Sequence, residues 1–127
     1  MSSVPAGLHY TKEHEWLALE GDQAVVGITD FAAGQLGDVV FVELPAVGTR
    51  LEMGKPFGVV ESVKSVSDLF APVSGVVTAV NEALRDAPEK VNEDAYGAGW
   101  MIRLQLEEGA DRSFLMDAED YGKLIAH

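Results

Sequence analysis

Gly58-Val59-Val60-Glu61-Ser62-Val63-Lys64-Ser65-Val66-Ser67-Asp68-Leu69-Phe70-Ala71-Pro72 sets two short β-prone runs on either side of a single lysine. Val59 and Val60 on one arm and Leu69 and Phe70 on the other favour extended strands, while Ser62, Ser65 and Ser67 keep the middle small and polar. The stretch predicts a hairpin over about residues 58–72 with Lys64 exposed at its tip. A primary amine on a flexible stem at a turn can be acylated by an external enzyme without disturbing the fold, which makes Lys64 a candidate modification site. The same composition also describes an ordinary surface turn with a solvated lysine, so the surrounding sequence has to decide between the two.

The chain has 127 residues, 47% of them hydrophobic, and is read as a single domain over 1–127 with enough apolar side chains for its own core. It contains no cysteine, which excludes disulfides and thiol catalysis and fits a reducing compartment; redox chemistry would need an added group. A formal net charge of −12 argues against nucleic acid or an anionic membrane as partner and for partners with basic docking faces. No run approaches a membrane span, and residues 1–7 have neither a basic residue nor an apolar stretch of signal-peptide length. The expectation is a soluble protein of the cytoplasm, or of the mitochondrial matrix after loss of a presequence. There is no Gly-x-Ser-x-Gly, no phosphate-binding loop, no Rossmann glycine pattern and no paired His and Cys, so no catalytic residue is expected.

In chain order, residues 1–7 are small and polar and predict a frayed terminus, with order beginning near Leu8. Residues 9–19 and 24–28 read as a hairpin turning at Glu20-Gly21-Asp22. In a strand, Glu13 and Glu15 share one face and His14 takes the other, so this triplet does not close on a metal; His9 and His14 lack helical ligand spacing, and no metal site is expected. Thr29 as N-cap and Gly37 as terminator predict a short helix over 29–36, weakened by Gly34. Residues 37–45 read as a buried strand stopped by Pro45. Pro45-Ala46-Val47-Gly48 and Pro72-Val73-Ser74-Gly75 repeat one pattern, as two similar half-sheets would and as unrelated turns also would.

After a strand over 76–80, Pro88-Glu89-Lys90-Val91-Asn92 suits one or two helical turns and Tyr96-Gly97-Ala98-Gly99 a glycine turn. Trp16 and Trp100 read as packing residues, since no nucleotide or sugar signal accompanies them. Ile102, Leu104 and Leu106 alternate with Arg103 and Gln105 in a last half-buried strand. Asp117 as N-cap, a Met116–Tyr121 staple and an apolar stripe through Leu124 and Ile125 predict a C-terminal helix over about 117–126.

The lysine's neighbours carry a resemblance. Glu61 lies three residues before Lys64 and Gly75 eleven after it, which with Pro72 is similar to the acceptor pattern of lipoyl domains. Biotinyl domains usually set their lysine between two methionines; here the neighbours are Val63 and Ser65. Lipoyl domains of 2-oxo acid dehydrogenase complexes usually have aspartate before the lysine and alanine after it, also unlike this chain. Glu61-Ser62-Val63-Lys64, Val66-Ser67-Asp68-Leu69 and Ala71-Pro72-Val73-Ser74-Gly75 resemble instead the H proteins of the glycine cleavage system. The run from Gly37 to Pro45 and that from Val91 to Ile102 add to the likeness, although Ala95 replaces a usual proline. The resemblance extends from about Leu8 to Ile125 and includes an N-terminal hairpin and C-terminal helix that plain lipoyl domains lack.

That resemblance implies a mainly β fold, a lipoyl-domain-like flattened barrel or sandwich of two small antiparallel sheets with short helices. It implies a monomeric, non-catalytic carrier with lipoate in amide linkage to Lys64 and the acidic residues of the N-terminal block near the lipoyl arm. Glycine decarboxylase with its pyridoxal phosphate, a tetrahydrofolate-dependent aminomethyltransferase, dihydrolipoyl dehydrogenase and a lipoate-attaching enzyme are the implied partners. Gly75 is expected in a turn supporting the hairpin from below. Glu61 is expected to be exposed and to meet a cation on the attaching enzyme. A lipoyl relay donating lipoate to other enzymes and a biotin carrier are the alternative functions.

Overall fold

In the computed structural model, which describes residues 4–126, the β-prone runs form nine strands: β1 (His9–Tyr10), β2 (Glu15–Glu20), β3 (Gln23–Ile28), β4 (Val39–Glu43), β5 (Arg50–Leu51), β6 (Pro56–Ser62), β7 (Val66–Phe70), β8 (Gly75–Val80) and β9 (Ile102–Leu106). Four helices interrupt them: α1 (Asp30–Leu36), α2 (Ala83–Asp86), α3 (Lys90–Glu93) and α4 (Ala118–Ile125). All strand pairs are antiparallel, in a six-stranded sheet of order β1-β2-β3-β9-β8-β5 and a three-stranded sheet of order β4-β6-β7. Alternation decides which faces meet: Ile102, Leu104 and Leu106 are buried while Arg103 is exposed. One core joins Leu17, Val26 and Leu104 of the larger sheet to Val42, Val60 and Leu69 of the smaller. Each such burial contributes about 1.5–3 kcal/mol. The expected flattened sandwich forms, but its sheets are unequal.

The repeated Pro-x-x-Gly pattern does not mark two half-sheets, because it leads into β5 and β8, neighbours in one sheet. Gly48 makes a turn in the left-handed region, φ 94°, and its N–H donates to the Val77 carbonyl. Gly75, expected in a turn, instead begins β8, paired with Leu51 on one side and Leu106 on the other. Its requirement is close approach: a Cβ there would lie 2.5 Å from the Gln105 carbonyl oxygen. Gly75→Val is expected to cost about 3 kcal/mol, the upper range for overpacking, read as a lowered urea midpoint. Acceptance of an acyl group at Lys64 should fall only in proportion to the unfolded fraction; loss of acylation at an unchanged midpoint would refute this packing role.

Other expectations need correction. The N-terminal strand breaks at residues 11–14, where His14 turns through a left-handed φ of 68° and the Thr11 N–H donates to the Glu15 carbonyl. Glu13 and Glu15 therefore do not share a strand face. β4 is an edge strand, not a buried one: Val40 and Phe41 lie about half exposed around a bulge. Met1, Ser2 and Ser3 of the terminus expected to fray, and His127, lie outside the described residues. Val4 and Pro5 are half-buried, and the Pro5 carbonyl accepts a hydrogen bond from the Tyr10 hydroxyl.

Helix α4 forms as its caps require, with the Asp117 carboxylate accepting from the Asp120 N–H at 2.8 Å. Tyr121 and Ile125, four residues apart, face the protein, and Leu124 points outward. The Tyr121 ring stacks on Tyr10 at 4.7 Å. Among the described residues no helix is long and apolar enough to cross a membrane.

Candidate functional site: the lysine hairpin and its cleft

The loop between β6 and β7 is closed by Ser62. Its N–H donates to the Ser65 carbonyl at 2.8 Å and its hydroxyl accepts the Ser65 N–H at 3.1 Å. Lys64 is exposed at the tip, as the composition of residues 58–72 predicts. The tip is fixed from below because the Val63 N–H donates to the Asp38 carbonyl at 3.1 Å. Asp38 belongs to the corner between α1 and β4, and Asn92 of α3 clasps that corner. Its amide N–H groups donate to the Gly37 and Ala33 carbonyls, and its oxygen accepts the Val39 N–H at 2.9 Å. The lysine stem lies over Gly37, where a Cβ would sit 3.4 Å from Lys64 Cε. Gly37 itself has φ 82°, a conformation that glycine adopts without strain.

Among the described residues Lys64, like Lys12 and Lys90, makes no ion pair, whereas Lys55 and Lys123 pair with Glu52 and Glu119. A rigid base under a free amine lets an enzyme seize that amine without first ordering the loop. Glu61 is half-buried, not fully exposed: it lies in the central strand of the small sheet, between Phe41 and Val66. Gly75 lies in the other sheet.

Along β7 the hairpin borders a cleft whose opposite walls are α1 and the 11–14 turn. Ala32, Leu36 and Leu69 give it apolar sides, Glu13 and Glu15 line it with carboxylates, and β7 borders it through Ser67 and Asp68. Glu15 is 2% exposed, and its two oxygens accept from the Phe70 N–H at 2.9 Å and the Thr11 hydroxyl at 3.2 Å. Burial pushes its pKa from the ordinary 4.5 up to about 8, against the lowering effect of those two hydrogen bonds. The turn and α1 are joined by the Tyr121 hydroxyl, which lies 2.8 Å from both His14 Nδ1 and Thr29 Oγ1. Burial lowers the His14 pKa, favouring the neutral ring in that contact. Among the described residues, no three His, Asp or Glu side chains gather as a metal site.

The sequence places Lys64 on an exposed loop and singles out the acidic block, the 91–102 run and Tyr121; it does not show the Asn92 clasp, the contacts of Tyr121 with His14 and Thr29, or the burial of Glu15. Only folding brings each of these residues to partners far along the chain.

A small domain of two antiparallel sheets with an exposed lysine at a braced hairpin tip has the architecture of the lipoyl-domain class. The comparisons specify it further. A profile of the family Glycine cleavage H-protein matches residues 8–127, and the chain belongs to that family. It is 56% identical over 125 residues to a glycine cleavage system H protein of Rubrobacter xylanophilus, covering 98% of this chain and 97% of that one. With a namesake from Magnetococcus marinus it shares 60% identity over 119 residues, 94% of this chain and 85% of that one. The crystal structure of a glycine cleavage system H protein from Mycobacterium marinum superposes with a TM-score of 0.87 at 40% identity, covering 98% of this chain and all of the other.

Proposed function

We propose that this protein is the non-catalytic carrier component of glycine cleavage, with lipoic acid held as an amide on Lys64 Nζ. The observation that carries this reading is the exposed amine of Lys64 at a braced hairpin tip. Family membership supports it. When bound on Lys64, the lipoyl group would supply a disulfide–dithiol couple able to take up and give up the aminomethyl group of glycine, with a pyridoxal-phosphate decarboxylase, a tetrahydrofolate-dependent transferase and dihydrolipoyl dehydrogenase as the partners.

The chain's own residues present and steer that arm. Lys64 tethers it, so each partner meets it at high local concentration. Ser62, Asp38 and Asn92 hold the tether point, Gly75 keeps the supporting sheet close-packed, and Glu61 gives the attaching enzyme a charge at fixed distance from the lysine. The cleft suits a protonated amine: Glu13 and Glu15 line it, and an incoming cation would draw Glu15 into its ionised form. The charge of −12 favours brief docking to basic enzyme mouths.

Peptide mass mapping of native protein tests the reading. Lipoyl mass is expected on the peptide containing Lys64; a biotinyl mass there, or an adduct on another lysine, overturns it.

A further inference from the structure

Register places six side chains on the outer face of the three-stranded sheet. Phe41, Glu61 and Val66 stand opposite one another in one row, and Glu43, Val59 and Asp68 in the next. Directly opposed residues share a face, and so do residues two apart on one strand. Val42 and Val60 between the rows, and Leu69 beyond Asp68, belong to the core. The outer face is thus a checkerboard of three apolar groups and three carboxylates, with Phe41 49% and Val66 64% exposed. Val63, 70% exposed, continues it to the lysine tip. These large apolar side chains cluster beside one functional amine instead of being scattered singly.

We propose that this face is the docking surface for the enzyme that attaches the lipoyl group, and that it fits a surface on which apolar side chains alternate with lysine or arginine. The inference rests on the carrier reading above. Reach selects the occupant. Attachment joins Lys64 Nζ to the acyl carbon of an activated lipoate, breaks the bond from that carbon to its activating group, which leaves with the electron pair, and releases the amine proton. That enzyme must bring its active site onto the lysine itself and so onto the adjoining sheet. Enzymes acting on the dithiolane work a full arm's length away and can engage elsewhere. Charge selects the chemistry: Glu43, Glu61 and Asp68 alternate with Phe41, Val59 and Val66, so a purely apolar partner would strand carboxylates and a purely basic one would leave apolar surface wet.

The test measures attachment kinetics on the intact apoprotein for two double variants, Phe41→Thr/Val66→Thr and Glu43→Gln/Asp68→Asn. Threonine keeps β propensity and the amides keep shape, and thermal midpoints verify folding. KM is expected to rise about tenfold in the apolar variant, with kcat nearly unchanged, as for loss of an interface anchor. The amide variant should lose most of the salt dependence of kcat/KM. Both variants, once loaded by prolonged incubation, should be reduced by dihydrolipoyl dehydrogenase within twofold of wild type. Unchanged KM in folded variants overturns the docking surface. An equal loss with the dehydrogenase assigns the face to a shared or different partner and also overturns it. Wild-type protein that accepts no lipoyl group refutes the carrier reading instead, an outcome distinct from both.

Discussion

Lys64→Arg is expected to fold as the wild type does, to carry no lipoyl group and to lose carrier turnover completely. Arginine keeps the positive charge, but its guanidinium stays protonated and offers no nucleophilic lone pair for acylation. The position is exposed, and such surface substitutions change stability by about 0.5 kcal/mol or less. The arginine stem can still lie over Gly37, since the backbone contacts of the tip come from Ser62, Val63 and Asp38 and not from the lysine side chain. Intact mass and the thermal midpoint read the first two outcomes, and glycine-dependent turnover with the partner enzymes reads the third. Residual turnover above background, or lipoyl mass on Lys55 or Lys90 of the wild type, would show that the tether point is elsewhere.

The parts of this molecule that were legible beforehand are those fixed by local chemistry. Thr29 announced the start of α1 because its hydroxyl can accept the Ala32 N–H, as it does. Alternation from Ile102 to Leu106 announced a half-buried strand because the two faces of a strand see different solvents. The serines around Lys64 announced a turn for the same kind of reason. The misjudged parts depend on distant partners. The chain leaves the extended conformation at His14 because Tyr121, 107 residues away, holds the imidazole, and the Thr29 N–H holds the His14 carbonyl. Gly75 resembled a turn residue because glycine serves both turns and close strand contacts, and only the Gln105 carbonyl pressing on it distinguishes them. Val40 and Phe41 read as buried because hydrophobicity does not reveal which strand forms a sheet edge.

Glu15→Gln is expected to abolish a pH dependence of stability that the wild type carries between about pH 4.5 and pH 8. The folded protein holds the Glu15 proton up to about pH 8, whereas the unfolded chain releases it near 4.5. Between those values the native state binds more protons than the unfolded state, so stability falls as pH rises, is fully present below 4.5 and is lost by the time pH passes the folded value. A shift of that size corresponds to several kcal/mol, since each pKa unit is worth about 1.4 kcal/mol. Glutamine keeps an acceptor for the Phe70 N–H and cannot ionise, so the variant should match the wild type near pH 5 and exceed it near pH 9. Urea midpoints across that range read the difference; parallel curves would mean that Glu15 titrates normally. On the carrier reading the excess stability should come at a functional cost, because glutamine cannot ionise when a protonated amine enters the cleft. Near neutral pH the wild-type carboxyl keeps its proton, and an arriving cation would favour its ionised form. An isolated sandwich would gain by leaving that position unable to ionise, so on the carrier reading a carboxyl beside the lysine hairpin gives up stability in exchange for cargo binding.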